Sequence, residues 1–450
     1  MESEQTGMAE ASIVSLNDFP EEVLLHTLSF LPTSDAIQTT LLSRKWRYLW
    51  SSINSLDFSN DLFPRYDSPS QTLRSFADFI NRTLILRSHS PLLKFRLQLF
   101  FGENRYASHV DSWVRYAVAH RAIDMDLSFF MGSDFIDLDF YNPSRYGFPF
   151  SALRNGCVGV LKLTHCYLSM PPAGGVSVAR FPSLRSLCLD RVPLTDAMLL
   201  DLMLGCVNLE ALFLLDCNGL KNAYICSSRL KELTLQNFTS QGASVDISAP
   251  NLRSLSTLFF EVGCIMDSSL SRADVYFMYK LEDCSHWSKV VSFLSNAQHL
   301  TVQNWWFKFL VRRDVSSGSF LLQSLKYLEL RTGYSKLDLL GIAALLEISP
   351  NLETMILDEI LKVDEETLEE SNEESEKFVT PIKFSLPSLR QFKMKHFKAT
   401  QSEKDFVMLL LQSEVVIEKI VLICADVAGT YIPPLVLVKP PRGFQITRSL

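Results

Sequence analysis

Several kinds of signal are missing from this sequence. No two of its nine cysteines are separated by only two residues, so the spacing of zinc ribbons and thioredoxin-like redox motifs is absent. The cysteine number is odd, and Cys188 sits inside the apolar alternation Leu187-Cys188-Leu189, which points to reduced, mostly packed thiols. His165 and Cys166 are adjacent, and in a strand their side chains would take opposite faces. No apolar run reaches the roughly 18 residues of a membrane span. The opening MESEQTGMAEAS lacks the basic start and apolar run of a secretory signal, so the expected location is the cytoplasm and/or nucleus. Positive charge is also scarce: 43 Lys and Arg against 50 Asp and Glu argue against general nucleic-acid binding. None of the patterns G-x-S-x-G, H-E-x-x-H, G-x-x-x-x-G-K-[ST] or G-x-G-x-x-G occurs, and the histidines are dispersed. The expectation is a chain with no catalytic centre, no metal, no cofactor, no membrane and no nucleic acid.

What is present is a repeat. Leu184-Arg-Ser-Leu-Cys-Leu189, Leu209-Glu-Ala-Leu-Phe-Leu214, Leu230-Lys-Glu-Leu-Thr-Leu235 and Leu325-Lys-Tyr-Leu-Glu-Leu330 share the pattern L-x-x-L-x-L. Val158, Leu252, Ala297, Leu352 and Leu389 open variants of it. Most intervals fall in or near the ~20–29 residues of leucine-rich repeats. The 45 residues from Leu252 to Ala297 hide one degenerate unit, with Val275–Tyr279 as its candidate strand. In each unit the second and third leucines point one way from a short strand, and stacking the units builds one parallel sheet over a continuous core.

The alternate residues then share the outer sheet face. That register places Phe213, His299, Gln303, Trp305, Tyr327 and Arg331 there as candidate partner-binding residues. Arg185, Lys231, Arg253, Lys326 and Arg390 follow the first leucine, but Glu210 and Glu353 interrupt them and are expected to pair with their neighbours. The acidic stretch 358–377 has no neighbouring His or Cys and reads as a solvated insertion at 361–377. Upstream, Leu56–Phe58, Phe95–Leu99 and Ile123–Leu127 alternate as strands. Leu73, Phe76, Ala77, Ile80 and Leu84, and then Val110, Trp113, Val114, Ala117 and Val118, fall at helical spacing.

The segment Val14–Trp50 predicts three short helices: one capped by Asp18 with Glu21, one after Pro32, and one over Arg44–Trp50 capped by Ser43. Leu16-x-x-Phe19-Pro20-x-x-Val23-Leu24, Leu28–Pro32 and Leu42-Ser-Arg-Lys-Trp46-Arg-x-Leu49-Trp50 resemble an F-box, with Phe19 where that family usually has Leu. FKATQSEKDFVMLLLQSEVVIEKIVL, with a helix expected to start around Ser402 and Asp405, resembles the FBD element of plant F-box/leucine-rich-repeat proteins.

The implied fold class is α/β: an N-terminal three-helix F-box followed by a leucine-rich-repeat solenoid with its parallel sheet on the concave face. The implied division is 14–50 F-box, 51–157 degenerate repeats, 158–396 repeats and 397–450 end unit. The resemblance implies a non-catalytic substrate-recognition subunit of an SKP–cullin–F-box ubiquitin ligase. Leu16, Phe19, Pro20, Leu24, Ile37 and Trp46 would dock on the SKP adaptor, and through it on cullin and RING subunits, while the repeats capture a protein substrate. The alternative is a repeat scaffold that delivers no substrate.

Overall fold

The computed structural model describes residues 16–59, 69–88, 90–100, 106–130, 146–154, 156–169, 181–236, 244–259, 264–266, 270–277, 294–303, 321–333, 336–359, 388–412, 417–424, 435–438 and 445–448. Trp305 and the insertion 361–377 lie outside them. The chain divides into two compact units, Met1–Leu184 and Arg185–Leu450.

The first unit opens with a 3-10 turn, Leu16–Asp18, followed by helices α1 (Glu21–Leu28) and α2 (Thr33–Gln38). The start of α1 differs from the expected one, while α2 begins after Pro32 as expected. Asp18 lies in the 3-10 turn, and α1 is capped by Pro20, whose carbonyl accepts the N–H groups of Val23 and Leu24. Pro32 does the same for α2. Proline has no N–H to lose and a φ already fixed near −65°, so it enters a first turn at little cost. The expected third helix over Arg44–Trp50 is replaced by turns and a 3-10 helix, Leu49–Ser52. A seven-residue helix gains few backbone bonds. Burial of Trp46 and Leu49, and bonds from Ser43 and Lys45 to the Leu16–Phe19 segment, decide that stretch instead.

Strands β1 (Ser55–Ser59), β2 (Lys94–Phe100), β3 (Asp124–Phe130), β4 (Gly147–Pro149), β5 (Val160–Thr164) and β6 (Tyr167–Ser169) follow. β1, β2, β3 and β5 pair in parallel, and β4 pairs with β6. Helix α3 (Pro69–Leu86) buries Phe76, Ala77, Ile80 and Leu84, and α4 (Ala107–Ala119) buries Val110, Trp113, Val114 and Ala117, as their spacing predicts, while Leu73 and Val118 are half-buried. The indole N–H of Trp113 donates to Asn81 Oδ1 at 2.8 Å and ties the two helices together.

The second unit contains β7 (Ser186–Asp190), β8 (Ala211–Leu215), β9 (Asn222–Cys226), β10 (Glu232–Gln236), β11 (Ser244–Ser248), β12 (Ser254–Phe259), β13 (Cys264–Met266), β14 (Arg272–Phe277), β15 (His299–Gln303), β16 (Tyr327–Thr332), β17 (Thr354–Glu359), β18 (Gln391–Phe397) and β19 (Lys419–Cys424). Its main parallel sheet runs β7-β8-β10-β12-β14-β15-β16-β17-β18-β19. β9, β11 and β13 form a small parallel sheet of their own. Helix α5 (Asp196–Gly205) starts at Thr195, whose hydroxyl accepts the Met198 N–H at 3.2 Å. Helix α6 (Lys336–Glu347) occupies the corresponding linker before β17.

One backbone arrangement recurs from unit to unit. The carbonyl after each buried first position accepts two N–H groups from the next repeat. Lys231 and Glu232 both donate to Glu210, at 2.7 and 3.0 Å, and Ile123 and Asp124 both donate to Leu93 at 2.9 Å. Leu93 and Lys94 donate in the same way to Asn54. This bonding identifies Ile53, Leu92 and Ala122 as further first positions in the first unit and bears out Val158, each nearly fully buried. It also corrects the hidden repeat: its first position is Leu270, with β14 beginning at Arg272, so Val275 lies within the strand rather than at its start. The alternation predicted for the outer face holds, with β7 and β8 both showing buried residues flanked by half-buried ones.

His165 departs from the strand expectation. It follows β5 in a turn with φ 56°, while Cys166 is fully buried. The last helix, α7 (Gln401–Gln412), starts one residue before Ser402. Its capping box is Thr400 with Glu403, not Ser402 with Asp405. Thr400 Oγ1 accepts the Glu403 N–H at 3.3 Å, and the Glu403 carboxylate accepts the Thr400 N–H at 2.7 Å. The tail adds two antiparallel strands, β20 (Leu435–Val438) on β19 and then β21 (Gln445–Arg448).

Candidate functional site

Two surfaces carry the residues singled out by sequence, one in each unit. In the first, α1, α2 and the 3-10 helix Leu49–Ser52 turn Leu24, Leu28, Ala36 and Leu49 inward, and the turn before that 3-10 helix does the same for Trp46. Leu24 and Trp46 were expected at the docking surface; they are 2% and 5% exposed and form the interior of the helical module instead. The reason is helical geometry: α1 buries Leu24 and Leu28, one turn apart. Leu16, Phe19 and Pro20 are exposed and Ile37 is half-buried. Val23, Phe30, Leu41, Leu42 and Tyr48, which sequence reasoning did not select, are exposed as well, from 45% at Val23 to 87% at Leu41. The available signal was an excess: these apolar residues are more than three short helices can bury among themselves. Large exposed apolar groups crowded into so short a segment mark a contact surface rather than ordinary exterior.

A side chain of this module also fastens it to the repeats. Thr33 is fully buried, and its hydroxyl accepts the Asp57 N–H of β1 at 2.8 Å.

In the second unit, the outer face of β8 carries half-buried Phe213, and β15 and β16 carry His299, Gln303, Tyr327 and Arg331. His299 lies opposite Tyr327 and Gln303 opposite Arg331. The His299 and Tyr327 rings stack, with centroids 5.4 Å apart. Burial, and then the nearby Arg272, holds the His299 pKa below its usual value. Phe213 shares this face but lies four strands from β15, about 19 Å at ~4.8 Å per strand. It therefore belongs to the same sheet face but not to the same cluster.

The structure brings other residues to that cluster. Lys395 of β18 reaches across β17 to donate to Glu329 Oε1, and its Nζ lies 3.6 Å from Asp358. Burial alone would lower the Lys395 pKa, but the Glu329 hydrogen bond and the Glu329 and Asp358 charges outweigh it, and the net shift is upward. His396 Nδ1 lies 2.8 Å from Asp358 Oδ1, at an irregularity in the β18–β19 pairing where His396 takes φ 52°. Tyr327 donates to Glu329 Oε2 at 3.4 Å. On β14, Arg272 lies 3.1 Å from Asp274, which accepts the Thr301 hydroxyl. Strand alternation puts Glu329 and Lys395 on the outer face, each two residues beyond an outward neighbour, but nothing in sequence shows that a lysine spans two strands.

The charges after the first leucine pair as expected. Glu210 accepts from Arg185 at 2.9 Å and Lys231 at 2.6 Å, and Lys326 lies 3.2 Å from Glu353. Toward the end of the unit this edge lines an open groove of about 770 Å³ between Gln298, Lys326, Glu353, Arg390 and Glu418. Burial pushes the Cys206 and Cys217 thiols up to about 12, as expected for inert packed cysteines. Among the described residues no group of three or more His, Cys, Asp or Glu side chains is arranged to hold a metal, and no helix is long and apolar enough to cross a membrane.

Residues 16–58 match the model of the F-box domain, and residues 85–430 match that of the At1g61320/AtMIF1 LRR domain. F-box/LRR-repeat protein At3g03360 of Arabidopsis thaliana is 28% identical over 364 residues, 76% of this chain and 70% of that protein. From the same plant, F-box/LRR-repeat protein At4g14096 is 33% identical over 121 residues, and putative F-box/LRR-repeat protein At5g02930 is 28% identical over 274 residues. The chain spans 25% and 52% of these two proteins' lengths. The exposed apolar module at one end and the stacked L-x-x-L-x-L units after it have the same explanation: the chain belongs to the At1g61320/AtMIF1 LRR-domain family and is a plant F-box/leucine-rich-repeat protein.

Proposed function

We propose that this chain is the substrate-recognition subunit of an SKP–cullin–F-box ubiquitin ligase. The observation that carries the reading is the exposed apolar set Leu16, Phe19, Val23, Phe30, Leu41 and Leu42 on a module that matches the F-box domain. With Pro20 and Ile37 these residues dock on the SKP adaptor, while Leu24 and Trp46 support them from inside. Cullin and RING subunits are then partners at one remove. The chain is a non-catalytic receptor: it holds a protein substrate near the loaded enzyme, and the acceleration comes from proximity. The expected setting is the cytoplasm or nucleus.

The capture surface is the outer sheet face around β14–β18. His299, Gln303, Tyr327 and Arg331 supply aromatic and cationic groups over the Lys395–Glu329–Asp358 network, and Phe213 extends the surface; the remaining candidate, Trp305, lies outside the described residues. The organisation is a docking module at 14–50, repeats at 51–396 and an FBD-like end unit from 397. Helix α7 followed by strand β19 supports that last assignment.

The test is co-purification of the full chain with the SKP adaptor. Leu16→Ala combined with Leu41→Ala removes two exposed side chains at no core cost and should abolish adaptor capture while the unfolding temperature stays put. Undiminished capture by that folded variant would remove the docking assignment.

A further inference from the structure

The Leu16–Pro20 segment presents exposed side chains yet has a defined position. Its 3-10 turn buries no residue, so core packing does not hold it. Asn17 Oδ1 lies 3.1 Å from the Trp46 indole nitrogen and 2.9 Å from the Ser43 hydroxyl. An indole N–H only donates, so the amide atom facing it must be the oxygen, and that fixes the Asn17 rotamer. Lys45 Nζ donates to the carbonyls of Asn17 and Phe19, at 2.7 Å each. The loop Ser43–Trp46, which does not form the helix its sequence predicts, thus grips the segment from both sides of Asp18.

We infer that Asn17 and Lys45 are positioning residues, a polar clasp that pre-orders the Leu16–Pro20 segment for docking. The inference rests on the adaptor-docking reading above. An unfastened segment would have to be ordered during association, and that ordering is subtracted from affinity. The clasp meets this cost when the chain folds. The four bonds use a side-chain amide, a hydroxyl, an indole and an ammonium, and of these groups only the Trp46 indole belongs to the apolar docking set.

The experiment is calorimetric titration of the full chain with the purified SKP adaptor, joined to hydrogen exchange of the residue 16–20 amides in the chain alone. Asn17→Ala should weaken the Kd about tenfold, which corresponds to about 1.4 kcal/mol. It should also speed exchange at 16–20 without changing α1 or the unfolding temperature. Asn17→Asp keeps an acceptor for Trp46 and Ser43 and adds attraction to Lys45, so it should restore both readouts. Lys45→Met should resemble Asn17→Ala. The double variant Asn17→Ala with Lys45→Met should lose little more than the weaker-binding single, because both release the same segment. Fully additive losses would make the two residues independent adaptor contacts and overturn the clasp, as would unchanged exchange at 16–20. An adaptor that binds wild type and Asn17→Ala equally well also overturns it. If the wild-type chain does not bind the adaptor at all, the docking reading falls, and the exchange arm still reports on the fastening.

Discussion

In the first unit, the residues whose carbonyls receive the paired N–H bonds of the next repeat include Asn54, Leu93 and Ile123; in the second they include Arg185, Glu210, Lys231, Arg253, Gln298, Lys326, Glu353 and Arg390. The side chains are neutral or apolar in one unit and mostly charged in the other, while the bonding is the same. What the repeat needs at this place is a carbonyl, which any residue supplies. The side chain is left free to vary, and in the second unit it pairs with neighbours along the edge. The linkers differ as well. Before β2 and β3 they contain α3 and α4, of 18 and 13 residues; in the second unit α5 and α6, of 10 and 12 residues, precede β8 and β17, and the short strands β9, β11 and β13, of 5, 5 and 3 residues, precede β10, β12 and β14. Stacking thus depends on the strand register and the buried positions, and the return path can be helix or strand.

The strongest way to break this comparison is to empty one buried position in each unit. Phe95 and Leu187 occupy the same place in their repeats and are both fully buried. Phe95→Ala should cost about 3–5 kcal/mol and Leu187→Ala about 2–5 kcal/mol in urea denaturation. A cost below about 1 kcal/mol for Phe95→Ala would show that the first unit does not share the register of the second.

A smaller effect of opposite sign is expected where a repeat departs from its own rule. Thr257 stands at an inward position of β12, is 1% exposed, and its hydroxyl has no hydrogen-bond partner among the described residues. Thr257→Val keeps the shape and removes the stranded group, so stability should rise by about 1 kcal/mol. A drop in the denaturation midpoint would mean that the hydroxyl is satisfied in solution.

The smallest effects distinguish the charges of the two units by their pH dependence. In the first unit, burial raises the Asp57 pKa, and the nearby Arg96 offsets this only in part. Its folded value then exceeds its unfolded value, so its contribution is full below the unfolded pKa and is lost as pH rises through the folded one. Asp57→Asn should therefore stabilise at pH 7, by less than about 1 kcal/mol, with the gain fading toward pH 4 or so. In the second unit the Glu210 pKa is lowered, chiefly by the Lys231 hydrogen bond and then by the Lys231 and Arg185 charges. Its contribution is present above the unfolded pKa and is lost as pH falls through the folded one. Glu210→Gln should slightly lower the midpoint at pH 7 and leave it unchanged in acid. Like signs in the two titrations would contradict this contrast.

The sequence by itself determined the repeats of the second unit apart from the one at β14, because leucine fills most of their inward positions and strand alternation has a fixed period of two. It determined the helical faces of α3 and α4 for the corresponding reason at period 3.6, and the pairing of Glu210 with Arg185 and Lys231 through the constant offset of one residue from a recurring leucine. In the first unit the same positions hold Ile53, Phe58, Phe95, Ala122 and Met125, and the pattern of letters dissolves although the burial does not. Only the tertiary structure decided those first positions, through backbone bonds between segments 30 or more residues apart. It also decided which F-box-like residues face outward, since Leu24 and Trp46 satisfy the motif from inside the module. The Ser43–Trp46 loop and the Lys395 bridge likewise depend on side chains meeting partners far away in sequence. Local propensity carries no information about such partners, so a stretch that reads as a short capped helix became a clasp instead.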